Sequence, residues 1–179
     1  MTEVTEWTKA YVRQADADFR AWELYQKHHD AVAAPCHELL YLQMACEKLS
    51  KAYVLTNSRV KPADVQTSHG FTKKHLPTIL RQEISHRVTE KLSKMQEVLK
   101  HFRYLAKEIE VLNPAMDRDA RPDNCEYPWA AGEKVISPLD WSFTPADLLT
   151  RPNGRVFLKT LRLAIDRLLN DLDLHLPPD

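Results

Sequence analysis

Residues 36–52 read CHELLYLQMACEKLSKA. Apolar side chains recur in this segment at intervals of three and four, the spacing that places them on one face of a helix. A proline at position 35 suits the first turn of such a helix, because proline has no backbone N–H to leave unpaired. We therefore predict a helix over residues 35–56. Its apolar face comprises Leu39, Leu42, Cys46, Leu49 and Tyr53.

The same periodicity extends outward from this segment in both directions. No useful stretch alternates with period two, and only 3 of the 179 residues are glycine. Together these features predict an all-α fold, an antiparallel helical bundle of four to six helices in a single domain, 1–179. The other expected elements are helices over 5–29 and 83–112, a short helical turn over 75–81, a helix start near Thr144, a C-terminal helix over 154–175, and a proline-rich connection over 115–142.

The composition excludes several classes of function. The chain has 25 basic and 25 acidic residues and a formal net charge of +0, so it exerts no overall attraction on nucleic acid or anionic membranes. Glycine-rich phosphate loops are absent, and we expect no cofactor. Its cysteines, Cys36, Cys46 and Cys125, lack the paired spacing of a metal site or a disulfide framework. With no secretory signal or apolar membrane span, the prediction is a cytoplasmic protein without bound metal.

The helix over 35–56 carries a more specific pattern. Gln43, Ala45, Glu47-Lys48 and Lys51-Ala52 stand in the order Q-x-A-x-E-K-x-x-K-A. This order resembles a helix of the HEPN superfamily of helical bundles. Weaker resemblances occur in the same order as in that family. They are the run ADADFRAW at residues 15–22, the segment HGFTKKHLPTIL at 69–80, and the segment YPW at 127–129.

The resemblance covers residues 16–129 and leaves the C-terminal helix outside the pattern. It implies a bundle of four or more helices that often forms a homodimer. Many HEPN proteins are metal-independent endoribonucleases of toxin–antitoxin and phage-defence systems. Others have lost catalysis and bind nucleotides, or act as the partner protein of a small nucleotidyltransferase.

Active HEPN nucleases share a motif R-x(4–6)-H, in which arginine stabilises the phosphorane charge and histidine moves a proton. The corresponding catalytic candidates here are Arg81 and His86. They precede the position at which the family usually carries the motif, near the segment at 127–129, where this chain has no histidine. A solvated helix start is the alternative interpretation of both residues.

Seven residues are candidates for binding. Glu47 and Lys51 are spaced i,i+4 and favour an intrahelical pair, and Lys48 could contact Asp18 of the first helix; the alternative is a cleft for a ligand or RNA. A second group of basic residues is crowded near a helix start, where phosphate contact and simple surface solubility compete. This group comprises His69, Lys73, Lys74 and His75.

The proline-rich connection contributes aromatic residues, Tyr127, Trp129 and Trp141. They either stack on a base or bury apolar area against the bundle. Taken together, the sequence predicts a non-catalytic HEPN-like module that dimerises and binds a partner protein, nucleotide or RNA. The alternatives are a HEPN endoribonuclease that uses Arg81 and His86, and a structural helical scaffold.

Overall fold

The computed structural model describes residues 3–28, 34–57, 60–85 and 92–172. Within these residues the chain forms seven helices and a two-stranded antiparallel sheet, so the predominantly helical fold class is confirmed. The helices are α1 (Glu3–Lys27), α2 (Pro35–Asn57), α3 (Pro62–Gln66), α4 (Thr72–Ser85), α5 (Leu92–Glu110), α6 (Thr144–Thr150) and α7 (Pro152–Asp171). The strands are β1 (Trp129–Ala131) and β2 (Lys134–Ile136), followed by a 3-10 turn, Pro138–Asp140.

One connected hydrophobic core joins the long helices. The predicted apolar face of α2 is buried at Leu39, Leu42, Cys46 and Leu49, and it packs mainly against α1. The sequence spacing also predicts an aromatic stripe on α1, at Trp7, Tyr11, Trp22 and Tyr25, and this prediction is only partly correct. Phe19 and Trp22 are buried, whereas Trp7, Tyr11 and Tyr25 are half-buried because Val12 and Ala15 occupy the centre of the face.

The C-terminal helix α7 is part of this core. It packs against α1, α4, α5 and α6, and its Phe157 meets Phe102 of α5 edge to face with ring centroids 5.4 Å apart. Phe157, Leu161 and Ile165 are fully buried. The helix that the family pattern does not contain is therefore needed to cover the apolar faces of α1, α4 and α5.

The boundaries of α4 and α5 differ from the prediction. The expected short turn over 75–81 is a 14-residue helix, although Pro77 lies inside it. Leu76, Ile79 and Leu80 are buried, and their packing outweighs the hydrogen bond that proline cannot make. Glu83 belongs to this helix rather than starting the next one, since α5 begins at Leu92.

The connection over 115–142 contains more structure than its prolines suggest. β1 and β2 pair Trp129 with Ile136 and Ala131 with Lys134, and Gly132 takes a positive φ of 64° in the turn between them. Strands of three residues are too short to show a period-two pattern. A five-residue helix, α3, likewise lies within residues 61–74, where the polar sequence predicts a loop.

None of the helices described is long and apolar enough to cross a membrane. The helix start near Thr144 is present, but Phe143 is the cap residue and Thr144 already belongs to α6.

Candidate functional site

The most strongly hydrogen-bonded candidate is Glu47, whose side chain lies between α2, α5 and the loop before α4. Its Oε1 pairs with Lys51 Nζ at 2.8 Å, and its Oε2 accepts Gln43 Nε2 at 2.8 Å and Asn113 Nδ2 at 3.0 Å. The residue is only 7% exposed. Because each carboxylate oxygen has partners, this buried charge is compensated within the protein.

His69 completes the cluster from the loop before α4. Its Nδ1 lies 3.1 Å from Oε1 of Glu47 and 3.4 Å from Nδ2 of Asn113. A carboxylate can only accept a hydrogen bond, so Nδ1 donates in this contact, and in the neutral ring Nε2 is then the nitrogen without a proton. The side chain is 40% exposed. The structure therefore presents a half-exposed imidazole that a buried carboxylate orients.

The electrostatic balance keeps Glu47 ionised. Burial alone would raise the pKa of Glu47, but the hydrogen bond and charge of Lys51, together with Gln43 and His69, hold it below its ordinary value. Lys51 is itself 5% exposed and also lies 3.5 Å from the carbonyl oxygen of Gln66 and over the ring of Tyr11. Glu47 and Lys51 thus form a buried ion pair rather than the wall of an open cleft.

Glu110 occupies the N-terminus of α4. Its Oε2 accepts the backbone N–H of Lys73 at 2.8 Å, and its carboxylate also accepts the N–H of Thr72. Burial raises the pKa of Glu110, and the negative charge of Glu47 adds to the rise. Because the first N–H groups of this helix already bind a carboxylate, they are not available to a phosphate in this arrangement.

Lys48 contacts the first helix, as the sequence suggested. Its Nζ lies 2.5 Å from Oδ2 of Asp18, which also receives Gln14 Nε2 on its other oxygen at 3.1 Å. Asp18 is 4% exposed and the side chain of Lys48 is 21% exposed. The first lysine of the family-like pattern therefore ties α2 to α1.

The remaining basic candidates lie on or near the first turn of α4. Lys73 and Lys74 are exposed. His75 lies between aromatic rings, with centroids 5.9 Å from Phe71 and 6.4 Å from Tyr53, and burial, with the charge of Lys74, lowers its pKa. His75 therefore packs as a neutral ring, and the exposed basic groups of this turn are the two lysines.

The proposed catalytic pair is described only in part. Arg81 is exposed near the C-terminal end of α4, where its carbonyl accepts the hydroxyl of Ser85. His86 lies outside the residues that the structure describes. Arg81 is nine residues beyond Thr72, roughly 13 Å along the helix axis from the cluster around Glu47. The structure therefore does not bring Arg81 to the same place as His69.

The aromatic residues of the connection divide into two groups. Trp129 is buried, and its ring meets Trp141 edge to face at 5.6 Å and Phe143 at 6.4 Å. Trp129 therefore packs the connection onto the bundle. Tyr127 and Trp141 remain 56% and 41% exposed. Tyr127 and Trp129 also line a pocket of 360 Å³, with Arg118, Pro122, Asn124 and Pro128.

Among the residues clustered around Glu47, neither Glu110 nor Asn113 appeared in the sequence analysis. Both lie at the end of α5, and Asn113 is 66 residues from Glu47 in the chain. The only sequence signal for them was the stop at Asn113-Pro114, which indicated a helix end and not a contact. Gln43 belonged to the family-like pattern and precedes Glu47 by one helical turn, so it could have been included.

Across the described part of the chain, no group of three or more His, Cys, Asp or Glu residues is arranged to hold a metal ion. In the cluster around Glu47, the carboxylates of Glu47 and Glu110 bind nitrogen donors of the protein. Comparison of the chain with protein-family models, with curated proteins and with solved structures finds no match in any of the three.

Proposed function

We propose that this chain is a HEPN-like helical module without catalytic activity, which dimerises and binds a partner protein. The observation that carries the proposal is an exposed apolar surface on the hairpin and the turn that follows it. Val135, Leu139 and Trp141 expose 76%, 60% and 41% of their surfaces. We call these three residues the hairpin face. Large apolar side chains exposed within one short segment favour protein–protein contact.

The backbone of the hairpin supports the same function. β1 and β2 pair only with each other in the described sheet, so each strand has an outer edge with unpaired N–H and C=O groups. Such an edge can pair with a strand of another chain, and apolar side chains beside it supply buried area. The hairpin therefore offers two contributions to association: backbone groups at the strand edges and the apolar side chains of the hairpin face.

The state of the family-like helix supports a binding module without catalysis. Glu47 pairs with Lys51 inside the protein, and Lys48 pairs with Asp18 of α1. Both contacts hold helices in place and leave these charges little freedom to act on a ligand. The pairs, the occupied N-terminus of α4 and the formal net charge of +0 make protein a better-supported partner than nucleotide or RNA.

Sedimentation velocity tests the self-association. We expect the wild-type chain to sediment as a dimer, and the double variant Val135→Asp/Leu139→Asp to sediment as a folded monomer, because two carboxylates in an apolar interface are costly to desolvate. Leu24→Asp/Val156→Asp is the matched control, since Leu24 and Val156 are 57% and 42% exposed outside the hairpin face. A monomeric wild type, or equal dissociation of both variants, would contradict the proposal.

A metal-independent ribonuclease is the second candidate, and the orientation of His69 favours it. With Nδ1 held by Glu47, the basic Nε2 could take a proton from a ribose hydroxyl. The test incubates a mixed RNA pool with the wild type in the presence of a chelator. Parallel reactions contain the variants His69→Asn, Arg81→Ala and His86→Ala.

Asparagine at position 69 keeps an N–H for Glu47 but has no ring nitrogen to accept a proton, so it separates catalysis from structure. Cleavage that is lost in His69→Asn alone would assign the chemistry to this histidine and overturn the non-catalytic proposal. Cleavage lost in Arg81→Ala and His86→Ala would assign it to the motif predicted by resemblance. RNA that stays intact with every protein supports the binding module.

A further inference from the structure

The segment between α5 and β1 is irregular but tightly fixed. The amide of Asn124, which is 6% exposed, donates to the carbonyl oxygens of Pro122 and Tyr127 at 3.0 and 3.1 Å. Its Oδ1 accepts the N–H groups of Glu126 and Tyr127 at 2.9 and 2.7 Å. One buried side chain thus makes four hydrogen bonds within its own loop, which gives the loop one conformation.

A second set of contacts ties the same loop to the helical core. Arg121 donates to Asp123 at 3.0 Å and to Glu108 of α5 at 3.3 Å, and Glu108 is 4% exposed. The N–H of Cys125 donates to the carbonyl of Leu112 at 3.2 Å. These contacts already fix the conformation of the loop. Binding of a ligand therefore costs little conformational entropy in the loop.

This loop forms the 360 Å³ pocket lined by Arg118, Pro122, Asn124, Tyr127, Pro128 and Trp129. We call it the connection pocket. Tyr127 and Trp129 flank Pro128 in the chain, and the buried ring of Trp129 packs edge to face against Trp141. The exposed ring of Tyr127 has no evident packing role, since 56% of the residue is open to solvent. Two aromatic rings and two prolines thus give the pocket mainly apolar walls.

Part of the hydrogen-bonding capacity of the pocket is used within the protein. Both polar atoms of the Asn124 amide bind the loop itself, and Nε of Arg118 donates to the carbonyl of Pro114. The Asn124 amide is therefore engaged within the loop and is not available to recognise base edges or amide groups of a ligand. A proline ring suits such a site, because it packs on aromatic rings and has no N–H to satisfy.

The charges around the pocket indicate which charge a ligand should carry. Residues 117–126 contain four carboxylates and two guanidinium groups. Arg121 is paired with Asp123 and the buried Glu108, whereas Asp117, Asp119 and Glu126 are exposed together with Arg118. Arg118 is the charged residue of the pocket lining, whereas the exposed charge of the surrounding segment 117–126 is net negative, which favours a cationic side chain of the ligand beside the pocket.

We infer that the connection pocket binds a proline-containing, basic segment of a partner protein. Proline residues of an extended segment pack on the exposed ring of Tyr127 in the pocket, and a neighbouring Lys or Arg approaches Asp117, Asp119 or Glu126. A polyproline II conformation suits this contact, because it is extended before binding and needs no internal hydrogen bonds. The inference rests on the proposed function insofar as it names the chemistry of the partner.

Four synthetic peptides test the inference on the full chain by calorimetry and tryptophan fluorescence. They are decaproline preceded by two arginines, decaproline preceded by two glutamates, decaproline alone, and decaalanine preceded by two arginines. We expect the arginine–decaproline peptide to bind, and the glutamate and alanine peptides to bind about tenfold more weakly or not at all, a difference of about 1.4 kcal/mol. Decaproline alone should be intermediate.

The variant Tyr127→Ala should lose most of this binding, whereas Tyr104→Ala, which removes a 48% exposed tyrosine of α5, should bind like the wild type. Absence of binding by the arginine–decaproline peptide, equal binding by the decaalanine peptide, or unchanged binding by Tyr127→Ala would overturn the inference. Stronger binding by the glutamate peptide or displacement by single-stranded RNA would overturn it as well. Dimerisation through the hairpin face is measured separately, so either proposal can fail without the other.

Discussion

The carboxylate of Glu110, at the end of α5, accepts the backbone N–H of Lys73 at 2.8 Å and thereby caps α4 from another helix. No capping residue of that kind precedes α4 in the sequence, where Gly70 and Phe71 stand before Thr72. The negative charge compensates the positive end of the α4 dipole. Glu110 and Glu47 are close enough for the charge of one to affect the other, and their contrasting environments lead to the first two predictions.

Replacement of Glu47 by glutamine should strongly destabilise the fold. It removes the negative partner of Lys51, which would remain as a charge only 5% exposed. Loss of one member of a buried pair costs about 3 kcal/mol, because the other is left uncompensated. Urea denaturation followed by circular dichroism at pH 7 measures the free energy of unfolding directly.

The exposed pair Asp147–Arg151 provides the control for Glu47→Gln. Its side chains are 68% and 61% exposed and have the same i,i+4 spacing. Because water screens this pair, Asp147→Asn should change the free energy of unfolding by less than about 0.5 kcal/mol. Equal losses in the two variants would show that burial of the Glu47–Lys51 pair has no special weight.

The pH dependence of stability should change in Glu110→Gln. Burial raises the pKa of Glu110 above its ordinary value of 4.5, so the folded state holds this proton more tightly than the unfolded state does. Stability from this group is complete below pH 4.5 and is lost as the pH rises through the folded pKa. Wild type should therefore lose stability relative to Glu110→Gln between pH 4.5 and neutrality.

Glu47 should affect the pH dependence of stability in the opposite direction to Glu110, because the pKa of Glu47 lies below its ordinary value. Its contribution is present above pH 4.5 and is lost as the pH falls through the folded pKa. Urea denaturation of wild type, Glu47→Gln and Glu110→Gln across the acid to neutral range separates the two contributions. Parallel stability curves for wild type and Glu110→Gln would refute the assignment for Glu110.

Gly154→Ala should disrupt the junction of α6 and α7. A Cβ at this position would lie 2.2 Å from the carbonyl oxygen of Leu148 and 2.5 Å from the Cα of Leu149, both backbone atoms. Since backbone cannot yield like the end of a side chain, we expect a loss of about 3 kcal/mol in thermal or urea unfolding.

Gly70→Ala is the matched substitution for Gly154→Ala. The nearest atom to a Cβ at position 70 is Cε of Met116 at 3.5 Å, an ordinary contact with a flexible side chain. The change in the free energy of unfolding should stay within about 0.5 kcal/mol. A tolerated alanine at position 154 would mean that α6 and α7 do not meet as closely as the structure indicates.

The thiols of Cys46 and Cys125 should be unreactive in the folded protein. They are 0% and 2% exposed, and burial raises the pKa of each well above its ordinary value, so little thiolate forms at neutral pH. Ellman's reagent should modify both rapidly in guanidinium chloride and very slowly in buffer. Fast modification of either thiol in the native state would indicate local opening around it.

Local sequence patterns predicted the presence of the helices better than the residues at which the helices begin and end. The face of α2 and the buried face of α7 follow from apolar spacing, because periodicity is a property of adjacent residues. The helix predicted over 83–112 wrongly included Glu83, because this residue suits a helix equally well in α4 or α5. The structure places Glu83 in α4, where its Oε2 lies 2.8 Å from Nε of Arg167 in α7.

The candidate site was likewise predictable only where its residues are close together in the chain. The Glu47–Lys51 pair could be anticipated because both residues lie one turn apart on a single helix. His69 was a candidate only as part of a basic group, and nothing near it in the chain indicated that it would meet Glu47. The connection pocket was invisible in the sequence, where Asn124 is one polar residue among many.

By itself, the sequence determined a predominantly helical chain, the faces that its helices bury, and a lysine–glutamate pattern on α2 that resembles one family. These are consequences of spacing within a few turns of helix. The tertiary structure alone decided that Glu47, His69, Glu110 and Asn113 form one cluster, that α7 completes the core, and that an irregular loop forms a pocket. Those contacts join residues far apart in the chain, and only packing of the apolar faces brings them together.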